Sequence, residues 1–126
     1  MKIFSNKMTL LLILSSLFSY GEDKKNGVIE EINSSGERCY TNYNNGTPIG
    51  EATCFYYNGV KKSVTKYING KIDREGTWNE DGSLQSDSFW KFQNGLRIDI
   101  VRFYKNDEIW LETHFRDGKT IFKKEY

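Results

Sequence analysis

The chain reads as an all-β protein, an antiparallel β-hairpin repeat array of about eight strands, and three observations predict it. A turn signal recurs about every dozen residues, at Gly46, Gly59, Gly70, Gly82, Gly95 and Gly118, with Asp107 in the one slot that lacks a glycine. Asn or Asp stands immediately before each of these positions, and both tolerate the positive φ that tight hairpin turns demand. An aromatic precedes most of the turns by three residues (Tyr43, Tyr56, Tyr67, Phe92, Tyr104, Phe115), and Trp78 precedes Gly82 by four. Between turns, large and polar residues alternate with a period of two, as in half-buried strands. Regular repetition at this spacing marks a repeat architecture.

The elements follow in order. Lys2 and Lys7 flank the start of an apolar run from Met8 to Phe18, and Ser19-Tyr20-Gly21 supplies small residues after it. This is the pattern of a secretory signal peptide over 1–21, cleaved after Gly21. The run is shorter than the ~20 residues a membrane-spanning helix requires. No cysteine follows it directly, so a lipoprotein is not expected. Residues 22–36 form an N-terminal leader or capping strand, with Val28 to Ile32 extended and Asn33-Ser34-Ser35-Gly36 as its turn.

Residues 37–126 make a β-repeat domain of four units, anchored at Gly46, Gly70, Gly95 and Gly118 and separated by 24, 25 and 23 residues. Three residues before each anchor stand Tyr43, Tyr67, Phe92 and Phe115; five before stand Thr41, Thr65, Trp90 and Thr113. Between them lie Asn42, Lys66, Lys91 and His114. The aromatic column is expected to face inward as a core and the Asn/Lys/His column outward. Eight residues after the anchors, Cys54, Trp78, Phe103 and Tyr126 are expected to share the inward face, with Thr53, Thr77, Arg102 and Glu125 opposing them. Each unit is thus a pair of antiparallel strands of ordinary length. No helical periodicity and no linker interrupts 37–126.

Charge narrows the function. Without Lys2 and Lys7 the chain carries 16 basic and 17 acidic side chains, a net charge of −1. Nucleic-acid binding needs a basic stripe, and none is present. Membrane association by charge alone is weak. Aromatics reach 15% and concentrate in the repeats, while apolar residues reach only 37%, as suits a thin sheet.

The columns resemble MORN-type repeats, and more closely the bacterial variant of the YwqK antitoxin family, over about residues 39–126. The first unit carries Tyr43-Asn44-Asn45-Gly46, Gly50, Cys54, Tyr56 and Asn58-Gly59; the second carries Tyr67, Asn69-Gly70-Lys71, Gly76, Trp78 and Gly82. Later units depart from the pattern: Asp99 stands where the first has Gly50, and Val101 where the second has Gly76. Thr41, Thr65, Trp90 and Thr113 replace a glycine that eukaryotic MORN repeats carry two positions before the aromatic. The resemblance implies a hairpin array that binds a protein partner, in the manner of an antitoxin or immunity protein.

Residues with chemistry of their own are few. Cys39 and Cys54 are the only cysteines. They fall on facing arms of the first hairpin, on one face and nearly opposite, which places them within disulfide range. An exported location favours the bond; two separate buried thiols and a redox or half-metal pair are the alternatives, the last without a Cys-x-x-Cys to support it. His114, the only histidine, sits in the outward column as a surface residue with no readable activating partner. Glu30-Glu31, Glu80-Asp81 and Asp107-Glu108 lie near turns or at the start and do not form a catalytic pair. Phosphate-cradling loops, nucleophile elbows and metal-binding loops are missing from the sequence. No catalytic residue, cofactor or metal is therefore expected.

Trp78, Trp90, Trp110, Tyr56 and Phe89 could form a ligand platform, although the same residues can be core. Phe55, Tyr57, Phe89 and Tyr104 fall on the outward parity and form the candidate binding face. The expectation is a non-enzymatic exported module, periplasmic or secreted, for protein–protein interaction, antitoxin- or immunity-like. The alternative is an envelope module that binds glycan or lipid through exposed aromatics.

Overall fold

The computed structural model describes residues 23–126, and the signal-peptide expectation for 1–21 lies outside them. Nine strands follow one another: β1 Gly27–Ile32, β2 Arg38–Asn44, β3 Thr47–Phe55, β4 Lys61–Ile68, β5 Lys71–Trp78, β6 Leu84–Gln93, β7 Leu96–Lys105, β8 Glu108–Arg116 and β9 Lys119–Glu125. They form one antiparallel meander in which each strand pairs only with its neighbours in sequence. Eight strands belong to the four hairpin units, and the ninth, β1, pairs with β2 ahead of them. No helix among the described residues is long and apolar enough to cross a membrane.

Two kinds of turn build this sheet. Asn45-Gly46, Asn69-Gly70, Asn94-Gly95 and Asp117-Gly118 all have φ between 50 and 80° at both positions. Such two-residue turns match the right-handed twist of the strands they join. At Gly70 a side chain is excluded twice over, since φ is +76° and a Cβ would sit 2.9 Å from the Thr47 methyl of the adjacent turn. The turns at the other end of the sheet are longer. Gly59 N–H donates to Tyr56 O (2.9 Å) and Tyr56 N–H to Val60 O (2.8 Å); Gly82 N–H donates to Asn79 O and Asn79 N–H to Ser83 O in the same pattern. The β7–β8 connection breaks this alternation. Asn106 and Asp107 make a two-residue turn with φ of 53 and 63°, so the aspartate occupies the glycine slot in the left-handed region.

Register divides the side chains between two faces. Ile29, Thr41, Ala52, Thr65, Glu75, Ser88, Val101, Thr113 and Lys123 lie opposite one another across all nine strands. This row defines the threonine face. The next row, Glu30, Tyr40, Thr53, Val64, Gly76, Asp87, Arg102, Glu112 and Lys124, defines the charged face. Thr41, Thr65 and Thr113 are buried, with Ala52 between the first two. Ile98 and Ile100, each 2% exposed on the charged face of β7, are the other buried apolar residues.

Three expectations are corrected here. The aromatic column does face one way, since Tyr43, Tyr67 and Phe115 follow the threonine row by two residues and Phe92 follows Ser88 by four. It is not a buried core, because no second layer covers it among the described residues, and Phe92 is 66% exposed. Trp78 does not share a face with Cys54. The register slips between Lys66 and Tyr67, leaving Asp73 as an extra residue in β5. Thr77 thereby falls in the row of Cys54 and Ser63, and Trp78 turns to the charged face. There a Cβ on Gly76 would lie 3.1 Å from its ring. His114 is not a free surface side chain, for it is bonded to Glu112 and largely shielded.

Candidate functional site

Cys39 and Cys54 pair directly across β2 and β3. They are joined as a disulfide, with Cα atoms 4.0 Å apart. The bond closes the first hairpin on the threonine face, two positions along the ladder from the Thr41–Ala52 pair. It leaves no free thiol in the chain. Of the three fates open to these cysteines, the structural bond is the one formed.

The charged face carries the densest polar network. Asp87, Arg102 and Glu112 are direct cross-strand partners on β6, β7 and β8, so opposite charges alternate across three strands. Arg102 Nε donates to Glu112 Oε1 at 2.9 Å, and His114 Nε2 lies 2.6 Å from Glu112 Oε2. His114 reaches that carboxylate because residues two apart on one strand share a face. Its ring also packs on Phe122, with centroids 4.7 Å apart. The His114 hydrogen bond, helped by Arg102, holds the Glu112 carboxyl below the usual carboxylate range against the opposing effect of burial. Tyr104 Oη donates to Asp87 Oδ2 at 3.2 Å. Burial, then the Asp87 charge, pushes that phenol above its ordinary value, which keeps it a neutral donor. Asp87 Oδ1 is shielded from solvent and has no hydrogen-bond partner among the described residues.

Every carboxylate in this network is engaged by a neighbour on the sheet. Among the described residues no group of three or more His, Cys, Asp or Glu side chains converges on a metal position. The network instead ties β6, β7 and β8 together.

The four candidate binding residues do not converge. Phe55, Phe89 and Tyr104 lie on the charged face, each occupied within the sheet. Phe55 packs edge-on to Tyr40 at 6.1 Å, and Phe89 lies under the Arg102 guanidinium at 4.7 Å. Phe55 on β3 stands three strands from Phe89 on β6. Tyr57 is the exception, 70% exposed in the β3–β4 turn.

A different apolar cluster lies on the threonine face, near the Asn69-Gly70 and Asn94-Gly95 turns. Trp90 and Phe92 pack edge to face at 5.3 Å. Trp90 Nε1 donates to Asp73, and the Arg97 guanidinium sits 5.0 Å over its ring. Beside them Ile72, 52% exposed, helps line a hollow of about 290 Å³ with Ile68, Asp73, Trp90 and Arg97. Spacing alone puts Phe92 in a core and leaves Trp90 open between core and ligand platform, so it does not bring the two together as a surface. The column that located them was the right signal, but it could not tell whether anything lay above it.

No family model, curated protein or solved structure matches the chain.

Proposed function

We propose that this chain is a non-enzymatic, exported protein-interaction module of the MORN-like type, which binds its partner through the aromatic cluster around exposed Phe92 on the threonine face. An antitoxin- or immunity-like role is the finer form of this reading. The observation that carries it is exposed Phe92 and Ile72 beside half-buried Trp90, with Asp73 and Arg97 at the rim. Contiguous apolar surface rimmed by polar groups marks interaction sites, and buried aromatics and arginine dominate interface energies. Single-layer sheets without a cover have that surface to offer a partner. The disulfide supports export, since such bonds persist in oxidising compartments.

The test is capture from envelope extract of the native host, with wild type and Phe92→Ser run side by side and a photo-crosslinking residue at Ile72, exposed on the same face. A partner retained by wild type, lost with Phe92→Ser and crosslinked at position 72 is the expected result. A partner held equally by both proteins would move the binding surface elsewhere, with exposed Tyr57 the next residue to substitute.

A further inference from the structure

At the end of the sheet opposite the Phe92 cluster, two unlike turns stand side by side. The β5–β6 connection is long, closed by Asn79 N–H to Ser83 O at 2.8 Å. The β7–β8 connection is the two-residue Asn106-Asp107 turn. The mismatch leaves a groove of about 470 Å³ between them, the size of a small-ligand site.

Two bulges aim side chains toward this groove. The register slips between Thr77 and Trp78, leaving Gln85 as the extra residue in β6. It slips again between Phe103 and Tyr104, leaving Trp110 as the extra residue in β8. Bulges characteristically re-aim a side chain. The equivalent residue in β4 is Lys62, which is tied down by Glu37 at 2.8 Å. Gln85 is tied only through Oε1, which accepts from Thr77 Oγ1 at 3.1 Å, so its amide N–H groups remain to donate. Trp110 is the most exposed of the three tryptophans at 43%, and it leans on Phe103 with centroids 6.3 Å apart. Asn79 spends one amide N–H on Ser83 Oγ and keeps its carbonyl oxygen as an acceptor. Asn106 contributes a second amide at the far wall.

We infer that this groove is a carbohydrate subsite that takes one neutral pyranose ring, stacked on Trp110 and hydrogen-bonded by the amides of Gln85, Asn79 and Asn106. A pyranose presents a face of C–H groups carrying slight positive charge, which packs on the negative π-face of an indole. Its hydroxyls each donate and accept, and side-chain amides supply both functions. No carboxylate lines the groove, and Lys105 is its one charged residue, so a cationic ligand finds no matching charge and a polyanion finds only a single one. The inference rests on this end of the sheet alone and is independent of the protein-binding reading.

The experiment is saturation-transfer NMR on the purified chain with the methyl glycosides of glucose, galactose, mannose and N-acetylglucosamine, alongside indole N–H shifts of the three tryptophans. Glucuronate and an uncharged tripeptide serve as the chemistries that should not bind. The expected result is transfer to the ring C–H protons of at least one neutral glycoside, with the Trp110 indole alone shifting. Trp110→Ala should abolish the transfer. Gln85→Ala and Asn106→Gly should each weaken binding by about 2–10-fold, the worth of one hydrogen bond. Asn106→Gly leaves the positive-φ turn intact, and Gln85 lies on the surface, so these two variants carry the test if Trp110→Ala disturbs the fold. The inference is overturned if no neutral glycoside receives transfer, if Trp78 or Trp90 shifts in place of Trp110, or if glucuronate or the tripeptide binds as well.

Discussion

Stability and binding should separate at Ile100 and Phe92, two large apolar residues in the same β6–β7 hairpin that point to opposite faces. Ile100 is 2% exposed on the charged face, flanked across strands by Phe89 and His114. Phe92 is 66% exposed on the threonine face. Truncating a fully buried isoleucine to alanine costs about 2–5 kcal/mol in lost transfer energy and cavity. A buried phenylalanine would cost about 3–5 kcal/mol, but Phe92 keeps only about a third of its surface covered, which brings its cost to about 1 kcal/mol. In a domain of this size each kcal/mol moves the melting temperature by about 4–8 °C. Ile100→Ala should therefore lower the melting point by about 10 °C or more, and Phe92→Ala by about 5 °C. Thermal melts of the two variants by far-ultraviolet circular dichroism, with the disulfide intact, make the measurement. An equal or larger loss from Phe92→Ala would mean that something covers the threonine face, and the exposed-cluster reading would fail with it.

Three further outcomes follow from the same coordinates. Reducing the Cys39–Cys54 bond, or replacing both residues with serine, should cost about 3 kcal/mol in the chain-entropy model for a loop of this length, read as a lower urea midpoint at unchanged slope; an unchanged midpoint would show that the bond carries no stability. Asp107→Gly should stabilise by up to about 1 kcal/mol because the residue sits at φ +63°, whereas Asp107→Val should destabilise, so the two melting points should move in opposite directions. Glu112 has its folded pKa lowered, so its contribution is present above the unfolded carboxylate range and is lost as pH falls through the folded value. Glu112→Gln should accordingly flatten the acid limb of the stability–pH profile, and a limb that keeps its slope in urea titrations between neutral and acid pH would remove Glu112 as its source.

What could be read from the sequence was whatever depends on local spacing. The turns at Gly46, Gly59, Gly70, Gly82, Gly95 and Gly118 follow from Asn-Gly and Asp-Gly pairs, whereas Asn26-Gly27, the same pair, opens β1. The Cys39–Cys54 pairing follows from counting outward from Gly46 along both arms of one hairpin. Trp78 was misplaced for an equally physical reason. One extra residue, Asp73, reverses the parity of everything after it in β5, since a one-residue slip moves each side chain to the other face. The link from Glu112 to Arg102 and His114 needs register across two strands, which counting from a single anchor does not provide. A partial signal was present for Asp87 and Arg102, opposite charges at matching distances from the Asn94-Gly95 turn, but Glu112 lies one residue farther from its turn than Arg102 does because Trp110 is extra in β8. Whether the aromatic column would be covered was not written in any spacing, since alternation defines two faces without saying how many layers meet them.

The departures of the third unit from the repeat pattern have a structural consequence. The first, second and fourth units each slip register beside their Asn-Gly or Asp-Gly turn, between Thr41 and Asn42, Lys66 and Tyr67, and His114 and Phe115. The β6–β7 hairpin does not, and it pairs without interruption from Ser86–Phe103 to Gln93–Leu96. Where the first unit has Ile49-Gly50 and the second Asp73-Arg74, the third has Ile98-Asp99, and Ile98 and Ile100 are the two most buried apolar side chains described. A regular ladder keeps successive side chains in strict alternation, so two β-branched residues placed two apart land on one face and shield each other. A bulge at that point would have turned one of them to the opposite face. The unit that matches the repeat least well is thus the one that supplies the buried apolar pair, and its neighbours Asp87, Arg102 and Glu112 lace the same three strands on the same face. Stability is concentrated in β6 to β8, which leaves the uncovered aromatics of the threonine face available for contact without loss of the fold.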